Sequence, residues 1–164
     1  MKPKEKGGLS VINLWLQNDA LLLKQLNKFY NKEDIPWVQL IWSKYYDAKV
    51  PHAAREMGSF WWKDVLRLSV IFRRIAKCEL GDGSSACFWE DLWSESVLSQ
   101  DYPRLVSFAT NGAISVMEAM QAEDLVSLFF LPLSQQTFQE FKDLQARLQL
   151  IPYGDTAIDQ WVPI

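Results

Sequence analysis

The sequence predicts a mainly α protein, helical modules with one β-hairpin centred on Asp82-Gly83, and three observations carry that expectation. Apolar residues recur at helical intervals in several separate stretches. The clearest is Trp61, Val65, Leu68, Phe72 and Ile75, whose steps of four and three share one helix face. Directly after Lys77 the period changes to two, with Cys78 and Leu80 before, and Cys87 and Trp89 after, an Asp-Gly dipeptide. That dipeptide is the pair that two-residue hairpin turns favour.

In chain order, KPKEKGG (2–8) reads as a basic, flexible entry, and Leu9, Val11 and Leu14 as an extended lead-in. Asn18 or Asp19 suits the N-cap of a helix ending near Tyr30, with Leu22, Leu26 and Phe29 inward and Lys24 and Lys28 on the opposite face. Pro36 opens a second helix to about Tyr46, carrying Trp37, Ile41 and Tyr45. Residues 47–57, with Pro51, lose the pattern and read as a loop. Ser59 caps a single helix over 59–76, with Lys63, Arg67 and Arg74 on a face away from its apolar spine and Arg73 and Lys77 at its exit.

The hairpin register then follows by arithmetic. If Asp82-Gly83 is the turn, Cys78 lies opposite Cys87, and Leu80 and Trp89 share their face. Downstream, a short helix from Tyr102 to Ala109 has Pro103 in its first turn and stops at Asn111-Gly112. Two apolar segments, 114–120 and 125–131, are too short to classify by period. Ser134 caps a helix with the spine Phe138, Phe141, Leu144 and Leu148 and an Asp143–Arg147 pair one turn apart. The tail after Pro152 shows no closing element.

Charge divides the 164 residues more sharply than the net of −3 suggests. Residues 1–77 hold 14 Lys/Arg against 7 Asp/Glu, and residues 78–164 hold 3 against 13. This predicts two regions, a basic one over 1–96 and an acidic one over 97–164. A basic region suits a polyanion, whose condensed counterions are released on binding, and Lys24, Lys28, Lys63, Arg67, Arg73 and Arg74 are the candidate contacts. The bland reading of these residues is a solvated face. Eight Trp and nine Phe point to burial or an interface before ligand chemistry. No apolar run approaches the ~20 residues of a membrane span, and no signal-like core comes after the basic N-terminus. An intracellular protein with reduced thiols is the expectation.

Candidate chemistry is sparse. Cys78, Cys87 and His52 lack the short spacings of zinc sites, and two buried thiols are favoured over a cross-strand disulfide. A single His in a loop gives no nucleophile–base pair. Gly81-Asp82-Gly83-Ser84 invites comparison with the first catalytic Asp of ribonuclease-H-like folds, but here the Asp occupies a turn, and no companion carboxylates can be assigned to metal ions. No phosphate-binding glycine loop is present. The residues thus predict no catalytic site, no metal, no cofactor and no small-molecule ligand.

One ordered set of motifs resembles plant non-LTR retrotransposon reverse transcriptase polyproteins. It comprises Pro3-Lys4 with Lys6-Gly7-Gly8-Leu9 and Val11, Asn18 with Ala20-Leu21-Leu22-Leu23-Lys24, Trp37 to Tyr45, and Gly58-Ser59 with Trp61-Trp62-Lys63. Gly81-Asp82-Gly83-Ser84, then Phe88-Trp89 with Asp91-Leu92-Trp93, continue the order to about residue 109. Asp159-Gln160-Trp161 resembles the approach to the family's zinc-binding segment. The resemblance implies a region between the polymerase core and that segment, with RNA, an RNA–DNA duplex or the rest of the polyprotein as partners. The polymerase motif of a Tyr and two Asp is not matched, since Tyr45-Tyr46-Asp47 has one Asp, so no family catalytic residue carries over. The initiating Met before the KPKEKGG motif suggests a truncated element. The alternative expectation is a stand-alone helical module that binds protein through exposed aromatics.

Overall fold

The structure, a computed structural model, describes residues 14–46, 58–153 and 157–164. The expected lead-in at Leu9 and Val11, the loop 47–57 and His52 lie outside them. Among the described residues the fold is mainly α with one two-stranded antiparallel sheet.

Helix α1 (Leu14–Tyr30) buries Leu22, Leu26, Phe29 and Tyr30, the expected stripe. It starts before Asn18, and its first turn carries Leu14, Trp15 and Leu16 exposed. Helix α2 (Pro36–Ile41) begins with Pro36, where a missing N–H costs nothing, and passes into a π-helical turn, Trp42–Tyr46. Because a π turn takes in an extra residue, Trp42 and Tyr46 face inward, while Trp37 and Tyr45 are only half-buried. Phe29 centres the resulting aromatic cluster, stacked on Trp42 at 5.0 Å and edge-on to Trp62 at 4.7 Å. The polar tips are matched as well: Trp42 Nε1 donates to the Phe29 carbonyl (3.0 Å), and Trp62 Nε1 to the Tyr46 hydroxyl (3.1 Å). Each fully buried large apolar side chain here contributes roughly 1.5–3 kcal/mol.

The expected single helix over 59–76 is two helices, α3 (Phe60–Arg67) and α4 (Ser69–Ile75), meeting at Leu68. Ser59 caps α3 as expected, accepting from Trp62 N at 3.3 Å. Val65, Leu68 and Phe72 of the expected spine are buried, and its two ends shift by one residue, from Trp61 to Trp62 and from Ile75 to Ala76. Trp62, Val65, Ser69, Phe72 and Ala76 are buried, along with Leu66 and Leu68, whereas Trp61 and Ile75 are each 45% exposed. Steps of three and four are kept, and small Ser69 and Ala76 fill two of the inward positions.

Strand β1 (Ala76–Glu79) alternates as predicted, with Cys78 inward and Lys77 and Glu79 outward. Its partner is not the segment after Asp82-Gly83. It pairs antiparallel with β2 (Gln160–Pro163), so that Cys78 faces Trp161. Cys87 instead bridges to Ser115, and the predicted Cys78–Cys87 pairing is therefore corrected. The tail does close the fold, contrary to its reading as open, and the pairing of β1 with β2 crosses the expected boundary between residues 96 and 97.

Between the strands, Phe88, Trp89 and Trp93 are buried in a loop-rich layer. Short helices come next: α5 (Leu98–Asp101), α6 (Pro103–Val106) with Pro103 in its first turn as predicted, and α7 (Val116–Met120). A reciprocal Ser115–Glu118 capping box starts α7. After a 3₁₀ turn at Leu125–Leu128, Ser134 caps α8 (Gln135–Gln149). Phe141, Leu144 and Leu148 are buried as expected, with Thr137 in place of Phe138. The predicted Asp143–Arg147 pair does not form. Arg147 reaches Asp101 at 2.6 Å and the Ser94 and Ser96 hydroxyls, while Asp143 accepts from the Tyr102 hydroxyl at 2.9 Å. Both side chains thus stitch α8 to the preceding loop layer.

Candidate nucleic-acid interface and the buried polar centre

The six predicted basic contacts do not share one environment. Lys24 and Lys28, one turn apart on α1, flank a groove of ≈ 300 Å³ between α1, α4 and β2, floored by Leu23, Phe72, Ile75, Ala76 and Pro163. Asn27 and Glu33 also border it. Lys63 is half-buried with its ammonium 6.0 Å from the Phe60 ring centre, Arg74 is exposed, and Arg67 makes a long, exposed 3.5 Å pair with Asp19. Such exposed pairs are worth little, so Arg67 remains available to another anion.

Arg73 is different and leaves the candidate surface. Its guanidinium turns inward, donating to Asp91 at 2.7 Å, the Tyr30 hydroxyl at 3.1 Å and the Ser85 carbonyl at 3.2 Å. It also lies over the rings of Tyr30 and Trp161. Burial opposes charge on both partners. Asp91 is pushed up by that burial, and its Oδ1 has no hydrogen-bond partner among the described residues. For Arg73, the nearby Tyr30 and Asp91 outweigh burial and keep it protonated. A charge so enclosed organises the interior and cannot reach a phosphate.

A second buried carboxylate lies beside this pair. Asp159, wholly buried, accepts from the backbone N–H groups of Gly81 and Gly83 through Oδ1 (both 2.8 Å). Its Oδ2 accepts from the Ser85 N–H (2.9 Å) and hydroxyl (2.7 Å). Three converging N–H groups form an anion-binding concavity, and here the chain fills it with its own side chain. The two glycines are required for different reasons. A Cβ on Gly81 would stand 2.1 Å from the Ala157 carbonyl oxygen, and Gly83 has φ +70° with Met117 N at 2.9 Å from any Cβ. Trp161, two residues on, donates from Nε1 to the Ser85 hydroxyl (2.9 Å) and packs against Tyr30 and Phe72. The Asn31 side chain exchanges hydrogen bonds with the Trp161 N–H (2.6 Å) and carbonyl (3.0 Å).

Asp82 stays in the turn. Its Oδ1 accepts from the Ser84 N–H and hydroxyl, and its carbonyl accepts from Tyr153. Among the described residues no group of three His, Cys, Asp or Glu could hold a metal ion. Burial, reinforced by Asp159 and Asp91 for Cys78 and by Asp91 for Cys87, pushes both thiols up, so neither supplies a thiolate at neutral pH. No described helix is long and apolar enough to cross a membrane.

Sequence reasoning missed Asn31, Asp159 and the inward turn of Arg73. No local signal marked Asp159, which stands in a tail that also holds Asp155, Thr156 and Gln160. Of the ion pairs among described residues, Arg73–Asp91 alone crosses the charge boundary at 77/78, while lying inside the predicted basic region 1–96; Arg67–Asp19, Arg104–Glu140 and Arg147–Asp101 each stay on one side of both boundaries. No protein-family model, no curated protein and no solved structure matches the chain.

Proposed function

We propose that this chain is a non-catalytic nucleic-acid-contacting module, equivalent to the region that comes after the polymerase core in plant non-LTR retrotransposon reverse transcriptases. The observation that carries the reading is that Lys24 and Lys28 sit without carboxylate partners among the described residues beside an open groove, with Arg67 held only by a weak exposed pair. The surface charges of the basic stretch are thus not consumed by the acidic one. The resemblance gains support from position. Among the residues that carry it, Gly81, Gly83, Trp89, Asp91, Trp93, Asp159 and Trp161 build the buried centre, whereas Leu21, Leu40 and Trp61 are exposed. Arg73 no longer belongs to the contact set, which becomes Lys24, Lys28, Lys63, Arg67 and Arg74.

The test is a salt titration of the intact chain binding labelled single-stranded RNA and an RNA–DNA duplex. The intact chain is needed because β2 and Asp159 complete the basic half. Each phosphate contact removed should lower the slope of log K against log[salt] by about 0.7–0.9. Lys24→Ala with Lys28→Ala should therefore flatten it by roughly 1.4–1.8 if both lysines meet phosphates. An Arg73→Ala change should unfold the chain instead of selectively flattening the slope. Salt-insensitive or absent binding would favour the second reading, a protein-interaction module, for which Phe60 and Trp15, 89% and 82% exposed, are the supporting feature.

A further inference from the structure

We infer that the groove between α1, α4 and β2 takes the base of one unpaired nucleotide, with its flanking phosphates on Lys24 and Lys28; this deepens the nucleic-acid reading and rests on it. The groove's composition carries the argument. Its floor is apolar, formed by Leu23, Ile75, Ala76, Pro163 and the edge of Phe72, while both lysines rise from the α1 side. Only a ligand with an apolar face and adjacent negative charge matches both parts.

Size and spacing choose among such ligands. At ≈ 300 Å³ the groove is at the small end of ligand sites and has room for one ring system. Lys24 and Lys28 stand about 6 Å apart along the helix axis, a separation comparable to that of successive phosphates on an extended strand. Both are in the second half of α1, toward the end where the helix dipole favours cations. Asn27 lies between them on the same wall, its carbonyl oxygen engaged by Asn31, which leaves its amide N–H groups to face a base edge. Glu33, whose N–H donates to the Lys28 carbonyl at 3.1 Å, borders the groove beside Lys28 and limits the occupied length on that side. Bases in a duplex are stacked and paired, so the site selects single strands, and contact with a base face is sequence-tolerant.

The experiment measures affinity of the intact chain for labelled oligouridine, for an abasic ribose-phosphate strand of equal length, and for an RNA–DNA duplex, each across a salt titration and compared at matched salt. Oligouridine should bind about fivefold more tightly than the abasic strand, a gain from apolar contact with the aliphatic floor, since Phe72 is buried and stacked on Tyr30. Ile75→Ser should erase that preference while leaving abasic binding and its salt slope unchanged. Ala20→Leu, which fills the groove from an exposed helical position with little loss of helix propensity, should do the same and keeps the test open if the Ile75 variant fails to fold. Equal affinity for oligouridine and the abasic strand overturns the base site but leaves phosphate binding standing. No salt-sensitive binding to any of the three overturns the nucleic-acid reading itself. Tighter binding of a labelled acidic amphipathic peptide than of oligouridine, lost in Ile75→Ser, assigns the groove to a protein partner and overturns the inference.

Discussion

Replacing Asp159 with Asn tests whether the buried carboxylate holds the fold together. The change is isosteric, so packing around Trp161 is kept and electrostatics alone is altered. Oδ1 can still accept from Gly81 and Gly83, but Oδ2 becomes an NH₂ group pointed at the Ser85 N–H. The Ser85 hydroxyl already accepts from Trp161 Nε1. It can rotate to accept from the new amide as well, and then its own proton has no acceptor. A hydrogen bond to a charged acceptor contributes about 1.5–3 kcal/mol against about 1 for a neutral one, and an unsatisfied buried donor costs about 1–3. Weakening two bonds and opposing two donors gives an expected loss of at least about 3 kcal/mol. That is a large part of the 5–15 kcal/mol typical of a whole domain. Guanidinium unfolding followed by tryptophan fluorescence should show the midpoint falling with an unchanged denaturant slope. A loss below about 1 kcal/mol would refute the argument, because it would mean that the N–H groups of the 81–85 loop find other acceptors without Asp159.

The same geometry sets three further outcomes. Gly81→Ala drives a Cβ into the Ala157 carbonyl and should cost more than about 3 kcal/mol, whereas Gly112→Ala, with nothing within 4 Å, should stay within about 0.5 kcal/mol of neutral; equal effects in thermal melts would contradict the placement of the tail. Asp101 is held below the usual carboxylate range by the Ser96 hydroxyl and then Arg147. Its contribution to stability is therefore present above the unfolded-state carboxylate pKa and lost as pH falls through the depressed folded value. Asp101→Asn should flatten the acid side of a stability–pH curve while leaving its neutral side sloped as before. Cys78 and Cys87, buried as thiols, should resist a disulfide reagent at pH 8 and react together at the unfolding midpoint; fast labelling of either in the native state would place it nearer the surface than described.

Local pattern carries the fold as far as single elements. The α1 and α8 stripes are legible because their apolar residues occur singly at helical steps. In α3 and α4 adjacent pairs, Trp61-Trp62 and Val65-Leu66, let two stripes one residue apart fit the same period. Packing against Phe29 decides between them, and small Ser69 and Ala76 carry no hydrophobic signal of that choice. The Asp-Gly dipeptide does mark a turn. The segment after the turn has a strand's alternation and nothing that betrays its real partner, since the acceptor for its N–H groups, Asp159, is 74 residues or more away. Arg73 and Arg74 are neighbours of one residue type, and burial alone separates a structural cation from a surface one. Lys24 and Lys28 are readable as an outward face from helical geometry, but the groove beside them needs β2 and so lies beyond any local pattern.

The two strands are short, and a two-stranded ribbon ordinarily leaves both flanks open to a third strand from another molecule. Here each flank is already answered. On one side the Asn31 amide takes the N–H and C=O of Trp161 as a neighbouring strand would, and Pro163 has no N–H to offer; on the other, the Leu92 carbonyl takes the Cys78 N–H at 2.9 Å. One side chain at the end of α1 therefore acts as a stopper against intermolecular sheet growth. Its loss would be felt first as a tendency of the folded protein to self-associate through β2, at concentrations where the intact chain stays dispersed.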